Sequence, residues 1–358
     1  MTRPALPLPA HAVGRSVRGA AAVAAVAAAV AMTVAAVAVI FTGALAPVQA
    51  APSHEGGQGL FDVRSAFLPP VGSWSAAVSG TLYRIEARRD PEGSGNRDAV
   101  AGGIHLSYGA RDWLELFGRF DAAYLTNDVT SFTSPRDGTA GAKLELPVHT
   151  RWLHAAVEGQ VSLPWGKRPR GFSSGSVDPS GRLLLTVPLP DSNPFSSVWL
   201  HFNVGYRARG DARGSGYEGK PLYYLEPNYP AGDGDQVELR AAVHFQDRRV
   251  ELFGEFLLDA MRDEAIAWGE GPLFFTPGFR VMLSERWSLL GASKIALAAD
   301  DESTTDFRPP DEFFPDWQIG FALAWSSAGT RTDGDGDGVP DYKDRCPHEA
   351  EDRDGVQD

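Results

Sequence analysis

Hydrophobic and polar positions alternate along most of the chain between residues 73 and 326. In 235–245, Val237, Leu239, Ala241, Val243 and Phe245 share one face, and Glu238, Arg240, Ala242 and His244 share the other. In 249–261, Val250, Leu252, Gly254, Phe256 and Leu258 oppose Glu251, Glu255 and Asp259. In 316–326, Trp317, Ile319, Phe321, Leu323 and Trp325 oppose Gln318, Gly320, Ala322, Ala324 and Ser326. A period of two is the mark of a strand with two unlike faces, and no long segment here carries the helical period.

Twelve such segments can be read: 73–87, 99–109, 112–124, 138–148, 152–163, 177–189, 198–208, 235–245, 249–261, 271–283, 287–298 and 316–326. Strands of soluble proteins typically run ~5–6 residues, whereas a tilted membrane strand needs ~9–11. The links between segments alternate in length. Those at 110–111, 149–151, 190–197, 246–248 and 284–286 are short, and those at 88–98, 125–137, 164–176, 209–234, 262–270 and 299–314 are long. Outer-membrane barrels have short periplasmic turns, long outer loops and an even strand number. All nine tryptophans fall near one boundary or the other, as interfacial girdles require. By strict alternation Trp113, Trp152 and Trp199 point inward, so either they close the lumen mouth or the register slips there. These features predict an all-β fold, an antiparallel transmembrane β-barrel of twelve strands over 73–326. A large soluble sandwich would share the alternation but not the lengths, links and tryptophan positions together.

Composition fits this reading and narrows the function. Of 358 residues, 43% are hydrophobic and only 22% charged, with Gly 39 and Pro 26 favouring turn-rich β structure. The net charge of −13 and the lack of a polybasic run exclude a nucleic-acid partner. Arg3, Arg15 and Arg18 precede an uncharged, alanine-rich stretch 19–46, and Val48-Gln49-Ala50 offers small residues for cleavage. Residues 1–50 thus read as a secretory signal peptide rather than an uncleaved membrane helix. Residues 51–72 are then a periplasmic N-terminal segment, and 327–332 a linker.

The inward face carries Glu115, Asp121, Glu145, Glu158, Glu238, Glu251, Glu255 and Asp259 against Arg119, Lys143, Arg182, Arg207, Arg240, Arg280 and Lys294. Such near balance suits cross-strand pairing and predicts no strong ion preference. Glu251 and Glu255 are expected to pair with Arg240 and its neighbours. Barrel enzymes of the phospholipase type need an outward Ser–His pair. Ser293 is outward, but His105, His154, His201 and His244 are inward, so no catalytic residue is assigned and an enzyme is not expected. Loop 209–234, with Tyr217, Tyr223, Tyr224 and Tyr229, either binds something outside or folds into the mouth.

The tail 333–358 has ten acidic and three basic side chains, which leaves a nearly balanced body. Asp333, Asp335, Asp337, Asp341 and Asp344 stand at loop positions one, three, five, nine and twelve. Gly338 lies at the turn, and Val339 lies where a backbone carbonyl serves. Hard oxygen ligands at this spacing fit Ca2+, and a solvated acidic linker is the alternative.

Two resemblances follow from these residues. Gln318-Ile319-Gly320-Phe321-Ala322-Leu323-Ala324-Trp325 resembles the β-signal of outer-membrane proteins, which implies the barrel assembly machinery as a partner. Asp344-Arg345-Cys346-Pro347 and the second block Asp352–Asp358, at a spacing of seventeen, resemble thrombospondin type 3 repeats. Such repeats link an outer-membrane barrel to an OmpA-like domain in OprF-type porins. The familiar members of that family have eight-stranded barrels, so the resemblance covers the tail closely and the barrel only in architecture. It implies peptidoglycan as a partner, through a C-terminal domain beyond the incomplete second repeat. The expected protein lies in the outer membrane of a Gram-negative-type bacterium, among its lipids, with both barrel ends in the periplasm. It is envelope-structural and weakly porin-like, with a calcium-stiffened linker toward the cell wall. The alternative is a transporter or receptor for a small hydrophobic or aromatic compound.

Overall fold

The computed structural model describes residues 52–54, 56–85, 97–126, 131–148, 152–166, 173, 175–189, 196–208, 235–247, 249–261, 273–284, 286–298 and 317–327. Residues 1–50, expected to be a signal peptide, the expected loop 209–234 and the tail 333–358 lie outside the described residues.

The strands are β1 (Trp74–Ile85), β2 (Arg97–Arg111), β3 (Leu114–Thr126), β4 (Ser131–Pro135), β5 (Gly138–Glu145), β6 (His154–Leu163), β7 (Asp178–Pro188), β8 (Ser196–Arg207), β9 (Gln236–Asp247), β10 (Val250–Met261), β11 (Leu273–Met282), β12 (Trp287–Ala298) and β13 (Trp317–Ser326). Each pairs antiparallel with its sequence neighbours, except that β4 and β5 both pair with β3 and not with each other, and β13 returns to pair with β1. The sheet is therefore a closed barrel. β4 and β5 are two halves of one span: β5 pairs with β3 over Leu114–Arg119, and β4 continues along the same edge over Ala122–Thr126. Arg136 and Asp137 interrupt that span, and the Arg136 amide still donates to Asp121 O at 2.9 Å. So the thirteen strands make twelve spans, as the alternation predicted. The span expected to begin at 138 begins at 131, because the outer end of β3 offers ladder partners that a count of alternating residues does not register.

The two faces sort as the sequence requires. Val78, Ile104, Leu116, Phe120, Phe202, Val204, Leu239, Val243, Leu252, Phe256 and Leu323 are exposed on the outside. Glu115, Asp121, Lys143, Glu158, Arg182, Glu238, Arg240, Glu251, Glu255, Arg280 and Lys294 are buried inside. Water would drive this distribution the other way, since apolar side chains gain by leaving it and unpaired charges lose. Hydrocarbon outside and a satisfied polar interior account for it. Trp74, Trp113, Trp152 and Trp287 are exposed at the end where the chain enters and leaves the barrel, and Trp165 at the other.

The three tryptophans of uncertain direction divide. A register shift between Gly109 and Arg111 puts Asp112 and Trp113 in the turn before β3, and Trp152 precedes β6. Both are about half exposed. Trp199 does point inward and is buried. The barrel's two ends meet: the Trp74 amide donates to Ser327 Oγ at 2.7 Å, and the Ser327 amide to Trp74 O at 2.8 Å.

A charge on the lipid face near mid-span costs roughly 2–4 kcal/mol. Leu252 stands third in β10, between mid-span and the short-turn interface, so Leu252→Arg should destabilise the folded barrel by about 1–2 kcal/mol in denaturant titrations in bilayers. Ser107→Arg, on the opposite parity, should leave the lipid contact intact and act only through the interior. If Leu252→Arg unfolds at the wild-type midpoint, the outward assignment of β10 is wrong.

Candidate functional site

The interior is occupied. Residues 52–70, expected to lie outside the barrel in the periplasm, instead run inside the wall, and nearly all of those described are buried. The segment's own pattern explains the placement. Leu60, Phe61, Val63, Ala66 and Leu68 are too few and too close to span a membrane, yet too apolar to lie in water. The chain folds back on itself in two bridges, Pro52↔Gln58 and Gly59↔Arg64. The inner turn is tied by Leu60 N to Val63 O at 2.9 Å and by Ser65 N to Gln58 O at 3.3 Å. The outer turn uses Gly56 and Gly57 at φ of 84° and 59°, which ordinary residues avoid. The result is a plug.

The tip of the plug sits on Glu255 of β10. Glu255 Oε1 accepts the amides of Phe61, Asp62 and Val63 at 2.9, 3.1 and 3.0 Å, and Oε2 accepts Asp62 N again at 3.0 Å. Successive N–H groups of a turn form a concave anion site, and here the anion is a wall carboxylate. Lys294 Nζ lies 2.7 Å from the Asp62 carboxylate, and Arg240 donates to Asp62 O at 2.8 Å. Glu255 therefore does not pair with Arg240, as the strand pattern suggested; its partner is a peptide backbone that no strand count could include. Glu251 is held by Arg280, which also donates to Gly59 O at 2.7 Å.

Other wall groups hold the rest. Asn203 accepts the Arg64 amide at 2.7 Å and donates to Arg64 O at 2.9 Å. Thr186 Oγ1 accepts the Ala66 amide at 2.9 Å. Lys143, 2.8 Å from Glu115, donates to Ser65 O at 3.1 Å, while Glu115 accepts Gln58 N at 3.0 Å. The Arg64 side chain donates to Ser53 Oγ at 2.7 Å and lies 5.2 Å over the Phe117 ring. Leu60, Phe61 and Val63 fill an apolar cup formed by Ala242, Phe253, Leu290, Ala292 and Ala322.

One glycine makes the cup fit. A β-carbon on Gly320 would stand 2.3 Å from Phe61 Cζ. The glycine that resembles a β-signal position thus also makes room for the plug. Beyond the plug, Arg182 bridges Glu158 at 2.9 Å and Glu238 at 2.6 Å, and Glu238 takes Arg207 at 2.9 Å. These are the cross-strand pairs expected for the lumen.

Near the short-turn end a small cleft of about 30 Å³, partly open to solvent, lies between the plug and β8 to β11. Phe67 and Trp199 meet edge to face across it, and Trp199 lies 4.9 Å from the His244 ring. His201, His244 and Glu251 line it and continue a polar chain from Thr186: Thr186 Oγ1 to His201 Nδ1 at 2.9 Å, His201 Nε2 to His244 Nδ1 at 3.4 Å, and His244 Nε2 to Glu251 at 3.5 Å. With its acceptor lone pair on the Ala66 amide, Thr186 can donate to His201, and the chain is ordered when both imidazoles carry the proton on Nε2.

Of the residues picked out for metal binding, Asp333, Asp335, Asp337, Val339, Asp341 and Asp344 all lie outside the described residues. His105, His201 and His244 are buried inward, as their parity predicted.

Phe61 is the largest fully buried apolar side chain of the plug, and truncating a buried phenylalanine costs about 3–5 kcal/mol. In Phe61→Ala or Gly320→Val protein, trypsin should cut after Arg64, which is fully buried in the seated plug. The double variant should be no worse than either alone, because the two changes act on one contact. Additive losses would separate Gly320 from the plug.

No family model and no curated protein matches the chain. Among solved structures, similar barrels include an outer-membrane channel from Pseudomonas putida F1, at 12% identity and a TM-score of 0.46, covering 75% of this chain and 99% of that one. The NanC porin aligns at 7% identity and a TM-score of 0.41, over 70% of this chain and 98% of its own. The translocator domain of the autotransporter NalP from Neisseria meningitidis aligns at 8% and 0.38, over 72% and 89%.

Proposed function

We propose that this protein is an outer-membrane channel held shut by its own N-terminal segment. The observation that carries the reading is that the wall is complete without the plug. Every span pairs on both sides with another span, and the plug is held only by hydrogen bonds, ion pairs and an apolar cup. Such contacts can break without breaking the barrel. A twelve-stranded barrel is wider than the small barrels of about eight strands that side chains alone can fill, so emptying this one leaves a passage. The plug enters from the end that bears the short turns and both barrel termini, which in this reading faces the periplasm.

The tail adds a second part to the proposal. Asp333, Asp335, Asp337, Asp341, Asp344 and the Val339 carbonyl form a calcium loop in which the ion cancels the repulsion of five nearby carboxylates. With the ion bound, the acidic linker is a stiff spacer between barrel and cell wall. The final strand, Gln318–Trp325, is what the barrel assembly machinery would read.

In planar bilayers the whole protein should be silent or open only briefly. The chain lacking residues 52–70 should give steady conductance with little preference between potassium and chloride, because its paired interior charges nearly balance. Silence of the deleted protein, with its barrel shown folded by heat-modifiable gel mobility, would overturn the channel reading.

Calorimetry on the detergent-solubilised full chain should find one calcium site that Asp337→Ala abolishes. Magnesium should bind far more weakly, since it demands near-octahedral geometry and gives up water reluctantly. Absence of calcium uptake at millimolar concentration would leave the tail an acidic linker.

A further inference from the structure

We infer that the seat vacated by the plug is a binding site for short peptides that carry an apolar side chain next to an acidic one. This inference rests on the channel reading, since it requires the plug to leave. It starts from the direction of the contacts. Most of the wall groups that hold the plug address its main chain. Glu255 takes three consecutive amides, Asn203 reads both the N–H and the C=O of Arg64, and Thr186 takes the Ala66 amide. Arg240, Arg280 and Lys143 donate to the carbonyls of Asp62, Gly59 and Ser65. A wall that reads N–H and C=O groups recognises peptide as such, whichever side chains it carries.

Side-chain selection is concentrated at the tip. The cup against Gly320 and Phe253 takes Phe61, and Lys294 takes the Asp62 carboxylate. When the plug leaves, Glu255 loses these amide donors and Lys294 loses that carboxylate, and water takes their place. A ligand that restores both sets of charge-assisted bonds in place of that water is favoured over one that restores neither. An inorganic anion could meet Lys294 but has no N–H groups to offer Glu255. A neutral sugar could meet the polar groups but has nothing for the apolar cup. A peptide with an apolar residue followed by an aspartate satisfies all three at once.

The test uses the chain lacking residues 52–70, in detergent and in bilayers, with acetylated and amidated Leu-Phe-Asp-Val as the probe. Calorimetry should show saturable binding of one peptide per barrel, and Leu-Phe-Asn-Val should bind at least tenfold more weakly. Glu255→Gln and Lys294→Gln should each lower affinity by a similar factor, and glucose should not bind. If the deletion does not yield a folded barrel, full-length Phe61→Ala/Asp62→Ala protein, with the tip of its plug unseated, takes its place. Binding without conductance would keep the peptide site and overturn the channel. Conductance with no peptide binding, or binding indifferent to Glu255 and Lys294, would overturn the peptide site and leave the channel standing.

Discussion

Hydrocarbon offers a peptide group nothing to bond to, so every N–H and C=O in a membrane wall must be paired within the wall. Here that constraint is met by the return of β13 to β1, in register from Ser75↔Ser326 to Arg84↔Trp317. An open sheet of the same strands would leave two unpaired edges in lipid, each group costing several kcal/mol. Closure fixes everything else. It gives each side chain only two destinations, lipid or lumen, and it sets a lumen too wide for the wall's own side chains to fill.

The lumen then poses its own problem. Charged side chains turned inward cannot stay unpaired, and a buried pair is stable only when its hydrogen bonds are well satisfied. The wall solves part of this by itself, through Arg182 with Glu158 and Glu238, Lys143 with Glu115, and Arg280 with Glu251. The rest is solved by residues 52–70. Glu255 receives backbone amides, Lys294 receives Asp62, and the apolar side chains of Ala242, Phe253, Leu290 and Ala292 receive Phe61 and its neighbours. Plug and wall are complementary in charge, hydrogen bonding and shape.

The two layers differ in how they are held. The wall is a continuous ladder in which no strand can leave without exposing its neighbours. The plug depends on a set of separable contacts, and its two bridges are its only described ladder structure. Segments with few mutual contacts are where proteins open first. In the channel proposed above, this division between a cooperative wall and a separately held filler is what would let the barrel open without unfolding.

The sequence by itself determined the wall. Period-two alternation, span length and alternating links fix the number of spans and the direction of nearly every side chain, because a strand gives each residue only two faces. Leu252 outward and Glu255 inward follow from that rule alone. It failed at Trp113, where a bulge between Gly109 and Arg111 shifted the count, and at 131–135, where pairing with β3 extended a strand into an expected loop. What only the tertiary structure decided is the filling. The contacts of Glu255 with Phe61, Asp62 and Val63 join residues more than 190 apart in sequence. The fit of Phe61 to Gly320 joins the two ends of the barrel chain. Neither leaves a periodic trace, because an irregular segment has no repeat and an inward carboxylate looks the same whether its partner is an arginine across the ladder or a backbone turn threaded through the lumen.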